Sequence, residues 1–215
     1  MSPTKRVDVT APIHAALAEA FGPHLEGAGF VALRPSLWAR ARGAGITDLF
    51  QVQALKGASY GPRWGFSLAW VPHLERGRLR WHRTLKGARF DLVQDPLDWQ
   101  APGTAPAVIP SLASPDTIAS VARGVAGWSV PEATGFWPLV TSPADLAALL
   151  PGLRARPATR FGFDAYVAHG LTVAFTLAAV GWRAEARAEL VRASAFAKGT
   201  AALQAELLAA LDPAG

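Results

Sequence analysis

The sequence predicts an α+β fold: an N-terminal helix packed on an antiparallel sheet of about five strands, followed by a C-terminal bundle of four to five helices. Two changes of hydrophobic period carry that expectation. From Ile13 to Leu25 apolar residues recur at helical spacing, from Phe30 to about Thr84 they alternate, and beyond Ser114 the helical spacing returns. The punctuation agrees, with short glycine and proline breaks inside the alternating stretch and serine-proline starts after it.

The first helix follows Pro12, presents Ile13, Leu17, Ala20, Phe21 and Leu25 on one face, and ends at Gly27 and Gly29. Five strands are expected next, at Phe30 to Leu33, Leu37 to Arg42, Ile46 to Lys56, Trp64 to Val71 and Leu79 to Thr84, joined by turns short enough for a meander. On the fourth, Trp64, Phe66, Leu68 and Trp70 share one face, which reads as the core side beneath the helix. Residues 96 to 110 lose periodicity to proline and alanine and read as a connector. Ser114-Pro115-Asp116 and Ser142-Pro143-Ala144-Asp145 each place a serine cap, a proline at the first helical position and an acid in the first turn. Three more helices are expected at about Phe163 to Val180, Ala184 to Ala197 and Ala201 to Leu211. The domain reading is therefore an α+β module over residues 1–100, a connector over 101–113 and a helical module over 114–215, packed as one globular unit.

Composition narrows the function classes. The chain has 215 residues, 51% hydrophobic and only 17% charged, against a usual charged share of about 25%. That balance excludes a disordered chain and leaves apolar surface for self-association, so a homodimer is among the expected partners. With no cysteine, disulfides, thiolate nucleophiles and cysteine-ligated metals are excluded. Val167 to Trp182 is apolar but shorter than the roughly 20 residues a membrane span needs, and it carries His169, so it reads as a buried helix. Lys5 and Arg6 are followed by no apolar leader segment, and a cytoplasmic location away from membranes is expected. Seventeen arginines against four lysines read as the coding bias of a high-GC bacterium.

One further likeness concerns the order of elements. Gly-Ala-Gly-Phe at the helix end, Leu-Trp-Ala-Arg-Ala, Ile-Thr-Asp-Leu-Phe-Gln-Val-Gln-Ala-Leu-Lys, Tyr-Gly-Pro-Arg-Trp-Gly-Phe-Ser-Leu-Ala-Trp-Val-Pro and a closing Asp98-Trp99 lie between residues 12 and 100. Together they resemble the bacterial family called domain of unknown function 4304. The resemblance implies a helix leading into an antiparallel sheet, and it brings no reaction and no functional residues.

Few residues offer chemistry. Gly57-Ala58-Ser59-Tyr60-Gly61 matches the nucleophile-elbow pattern, but an elbow runs from strand into helix, and the following residues read as a strand, so it is expected to be a hairpin turn. His73, Glu75 and His82 flank one turn without a further histidine nearby, and Asp91, Asp95 and Asp98 border a proline loop that they are expected to cap or solvate. No catalytic residue, metal site or cofactor is assigned, and an enzyme is not favoured. The outward-looking feature is charge: Arg34 to Arg89 holds eleven Lys and Arg against Asp48 and Glu75, a net +9 where the whole chain is +5. Arg40, Arg42, Arg76, Arg78, Arg80 and Arg83 are the candidate binding residues. They are expected on the sheet face opposite Trp64 and Trp70 and in the turn from Arg76 to Arg83. An acidic protein is the first expected partner. Nucleic acid is the second, on the strength of the interleaved Trp38, Tyr60, Trp64, Trp70 and Trp81. A cationic surface that merely solvates the sheet is the plain alternative.

Overall fold

The computed structural model describes residues 10–75, 78–81, 84–94, 105–154, 169–196 and 201–211. Helix α1 (Thr10–Gly27) leads into β1 (Val31–Arg34), β2 (Leu37–Ala41), β3 (Ile46–Leu55) and β4 (Ser59–Leu68). After β5 (Pro72–Glu75) and β6 (Arg78–Trp81) come a 3-10 turn at Leu85–Gly87, β7 (Leu92–Gln94) and β8 (Ile109–Pro110). Helices α2 (Pro115–Phe136), α3 (Pro143–Arg154), α4 (His169–Ala179), α5 (Arg183–Phe196) and α6 (Ala201–Leu211) complete the chain. The main sheet runs β1-β2-β3-β4-β7, with β8 paired to the first part of β4. The expected helix, antiparallel sheet and C-terminal helices are therefore present.

The local chemistry explains the boundaries. Helix α1 stops because Gly29 turns left-handed (φ 85°) while Phe30 N–H closes back on Leu25 O at 3.0 Å. Two hairpins join β2 to β3 and β3 to β4 through pairs of left-handed residues, Ala44-Gly45 and Gly57-Ala58, the backbone that matches strand twist in tight hairpins. Ser114 Oγ accepts from Thr117 N–H at 3.3 Å, and Ser142 Oγ accepts from Asp145 N–H at 3.2 Å. Asp145 Oδ2 in turn accepts from Thr141 N–H at 2.9 Å, so both serine-proline signatures are working helix starts.

Three departures from the expected strands matter. The fourth strand starts at Ser59 rather than Trp64, because the Gly57-Ala58 turn is tighter than the seven-residue loop expected there. The basic strand near residue 80 does not extend the meander; β6 pairs with β5 as a separate two-stranded ribbon. Its place beside β4 is taken by β7 and β8, the second of which lies inside the expected connector. Gly65 permits the β7 neighbour: a Cβ there would lie 1.9 Å from Leu92 O, so only glycine admits that approach.

Two compact units emerge, and neither is continuous in sequence. The first comprises Met1–Ala39, Phe50–Trp64 and Asp95–Thr134; the second comprises Arg40–Leu49, Gly65–Gln94 and Gly135–Gly215. In the first, Ile13, Leu17, Phe21 and Leu25 of α1 are buried, and Phe21, Trp38, Phe50 and Trp64 form a ring cluster with centroids 5.5 to 6.3 Å apart. In the second, Phe66 packs on Phe136 at 5.1 Å, and α4 buries Thr172, Val173, Ala174, Phe175 and Thr176. Among the described residues no helix is long and apolar enough to cross a membrane.

Candidate protein-docking surface

The six candidate arginines separate into two kinds of place. Arg40 and Arg42 turn inward. Arg40 reaches Asp48 Oδ2 through Nε at 3.0 Å and Nη2 at 2.8 Å, and Arg42 Nη2 lies 2.8 Å from Oδ1 while also donating to Val140 O at 2.8 Å. Each guanidinium also covers an aromatic face, Arg40 over Trp137 at 5.5 Å and Arg42 over Phe66 at 5.7 Å. The contact with Phe66 puts Arg42 on the core side of the sheet, not on the face opposite Trp64 as the sequence led us to expect. The cause is Asp48, fully buried, whose carboxylate holds both guanidiniums where stacking planes are available. Burial raises the Asp48 carboxyl above its ordinary value, against the downward pull of the Arg40 hydrogen bond and of both cationic charges.

Arg78 and Arg80 turn outward. They belong to the β5–β6 ribbon, whose register sets Pro72 against Trp81, His73 against Arg80, Leu74 against Leu79 and Glu75 against Arg78. Because strand side chains alternate, one ribbon face carries Pro72, Leu79 and Trp81 and the other His73, Glu75, Arg78 and Arg80. The apolar face is the inner one: Trp81 meets Phe175 of α4 edge to face at 5.8 Å. The polar face is consequently displayed, with Arg78, Arg80 and Glu75 exposed and His73 half-buried. Arg80 Nε stands 3.8 Å from Glu75 Oε2, a loose pair between two solvent-facing groups.

The cationic surface continues into the 3-10 turn. Thr84 Oγ1 accepts from Gly87 N–H at 3.1 Å and fixes the turn, which displays Lys86; Arg89 follows, its side chain exposed and its N–H donating to Ser67 Oγ at 3.3 Å. His73 is the titratable group among these charges. Burial first, then the Arg89 charge and more weakly that of Arg80, hold its imidazole below the ordinary histidine value, with Glu75 opposing. Arg76, Arg83, His82, Asp95 and Asp98 lie outside the described residues.

No family model, curated protein or solved structure matches the chain. Its own geometry is therefore the basis for reading the surface. Ser59 is the first residue of β4 and pairs with Pro110 of β8, so the glycine-serine pattern is a hairpin followed by strand. Among the described residues no three His, Asp or Glu side chains gather closely enough to hold a metal ion. The interleaved tryptophans do not join the arginine face either. Trp38 and Trp64 are buried, Trp70 Nε1 donates to Thr176 Oγ1 at 3.2 Å, and Trp81 faces α4.

Among the buried acids that sequence reasoning missed is Asp91. Asp91, expected to cap a surface loop, is 2% exposed; its Oδ2 accepts from Leu68 N–H at 2.7 Å, and its backbone carbonyl accepts from Thr172 Oγ1 at 2.6 Å. Burial pushes its carboxyl up to about 8, against weaker lowering by the Leu68 N–H and the Arg89 charge. The alternation of the sheet held no signal for this, since Asp91 lies in the bend before β7.

Proposed function

We propose that the protein is a non-catalytic interaction module whose β5–β6 ribbon and following turn dock an acidic segment of a protein partner. The single observation that carries this reading is the two-faced ribbon: its apolar side is anchored through Trp81 on Phe175, and the side left outward holds Arg78 and Arg80 with Glu75 as the one carboxylate of the paired strands. Between Glu75 and Arg89 the sequence adds Arg76, Arg83, Lys86 and Arg89 to them. Clustered exposed guanidiniums attract carboxylates over several ångströms and fork onto them at contact. Base-stacking recognition of single strands needs exposed aromatic faces, and the tryptophans nearest the arginines are engaged elsewhere, which favours a protein partner over nucleic acid. The likeness of residues 12–100 to the domain of unknown function 4304 family is likewise our proposal, resting on its motifs.

A fluorescein-labelled decaglutamate peptide tests the reading by anisotropy at low ionic strength. Binding to the wild type, weakened at least about tenfold in Arg78→Glu/Arg80→Glu, is the expected result. Absent binding, or equal affinity in the double variant, overturns it. Tighter binding of a single-stranded oligonucleotide with a steep loss in salt would replace it with the nucleic-acid reading.

A further inference from the structure

We propose that docking at this ribbon is proton-linked: His73 takes up a proton as an acidic side chain of the partner settles beside Arg80 and Arg89, so the complex tightens as pH falls. The inference rests on the acidic-partner reading and adds a regulator to the same face.

The ribbon register carries it. His73 stands directly opposite Arg80, two positions from Glu75 along one strand face, and its half-buried ring lies within the field of Arg89. In the free protein desolvation and both guanidiniums oppose a positive imidazole, so protonation of the ring is disfavoured beside this cationic surface. The opposing carboxylate, Glu75, is already drawn toward Arg80 at 3.8 Å. Helix α4, which packs against β5, contributes no charged residue from Gly170 to Ala179; His169 at its first position is the other titratable group on that element.

A partner carboxylate reverses this balance. It neutralises the guanidinium field and adds a negative charge within reach of the ring, a change that raises a neighbouring imidazole by about one to three pH units. One unit corresponds to about a tenfold difference in affinity between the protonated and neutral forms of the site. By linkage the dependence is reciprocal: the partner promotes protonation, and protonation promotes the partner. Glutamate carboxyls titrate near 4.3, so with its N-terminus acetylated a glutamate peptide is unchanged between pH 6 and 8 and any proton taken up belongs to the protein.

Calorimetric titration of acetylated decaglutamate at pH 7 in phosphate and in Tris, buffers of different ionisation enthalpy, counts that proton. The wild type is expected to take up a measurable fraction and to bind about tenfold tighter at pH 6 than at pH 8. His73→Gln should bind without uptake and with a flat pH profile, while His82→Gln keeps the uptake. Nuclear magnetic resonance of the His73 ring in the wild-type protein gives the same answer without a variant: its titration midpoint should move upward when peptide is added. Binding with no uptake, uptake that persists in His73→Gln, or an unmoved ring midpoint overturns the proton linkage and leaves the docking reading standing. Absent binding in the wild type overturns both.

Discussion

The first unit buries an aromatic cluster with almost no polar side chain, and the second adds buried carboxyl groups to its apolar core. Of the eight buried polar side chains among the described residues, Ser129 alone belongs to the first unit, and its hydroxyl simply donates to Val125 O one turn back at 2.7 Å. The cluster of Phe21, Trp38, Phe50 and Trp64 extends to Trp128, whose Nε1 donates to Pro106 O at 3.0 Å. The second unit instead buries Asp48, Asp91 and Glu189. Two of these carboxylates each gather a pair of arginines, Asp48 with Arg40 and Arg42, and Glu189 with Arg154 at 2.8 Å and Arg192. The lesson concerns arginine. Among the described residues, Arg40 and Arg42 clamp a buried carboxylate, whereas Arg78 and Arg80 of the β5–β6 ribbon stay exposed, which is why the proposed docking surface rests on the second pair.

Truncation gives the sharpest test of that contrast. Phe50→Ala opens a void among three aromatic neighbours and is expected to cost about 3–5 kcal/mol in denaturant unfolding. Asp48→Ala should cost about as much for another reason, because Arg40 and Arg42 lose their shared counter-ion at a site they cannot readily leave. The two losses differ in how they are rescued. Replacing the whole cluster, as Arg40→Met/Arg42→Leu/Asp48→Leu, should return stability to within about 1–2 kcal/mol of the wild type, since a buried ion cluster and an apolar one of similar volume are close in free energy. If the triple variant unfolds as readily as Asp48→Ala, the clamp is more than a replaceable packing device and the contrast fails.

Asp91 offers a second test, with a direction that only the ionic unit predicts. Its folded-state carboxyl, pushed up to about 8, binds a proton that the unfolded chain releases near its ordinary value of 3.8. Its stabilising contribution is therefore fully present below about pH 4 and is lost as pH rises toward 8, with a slope of at most about 1.4 kcal/mol per pH unit. Asp91→Asn keeps an acceptor for Leu68 N–H and cannot ionise, so its stability should be flat where the wild type declines. Parallel profiles from urea unfolding at pH 5 and pH 8 would sink this account of Asp91.

How much of this was legible in the sequence follows from the same contrast. The rings of the first unit obey the alternation on which they were read: Trp38 and Phe50 are buried on their strands as Trp64 is on the fourth, and Ile13, Leu17, Phe21 and Leu25 follow the helical stripe. The ionic unit was legible only in part. Trp38 and Arg40 share a strand parity, as do Asp48 and Phe50, so the pattern contained the inward placement of Arg40; counting charge along the chain hid it, because a sum over residues takes no account of which face a carboxylate is on. The β5–β6 ribbon and the β7 and β8 pairings were not legible, because nothing local in Pro72 to Glu75 or Ile109-Pro110 says which strand will receive them. Gly65 was a clue of the right kind, a glycine in a strand where another backbone comes close, but a clue without an address.

The smallest effect concerns what the two units share. Each contains a hairpin with a left-handed alanine, Ala58 (φ 53°) in the first and Ala44 (φ 57°) in the second. Each turn is pinned from another segment: Ser111 N–H and Oγ donate to Ala58 O at 2.9 and 2.8 Å, and Ala69 N–H donates to Gly45 O at 2.8 Å. A left-handed alanine costs about 1–2 kcal/mol through its Cβ, and glycine removes that cost while adding about 0.5–1 kcal/mol of unfolded-state entropy. Ala58→Gly and Ala44→Gly should therefore each stabilise by up to about 1 kcal/mol, read as a small rise in the melting temperature. Equal gains would mean that turn strain is set by the local backbone alone and is indifferent to whether the turn belongs to the ring-packed or the ion-packed unit. A gain at Ala58 with a loss at Ala44 would mean that the second unit depends on the rigidity of its turn to hold Arg42 and Asp48 in register, and the difference between the units would then extend from their cores to their hairpins.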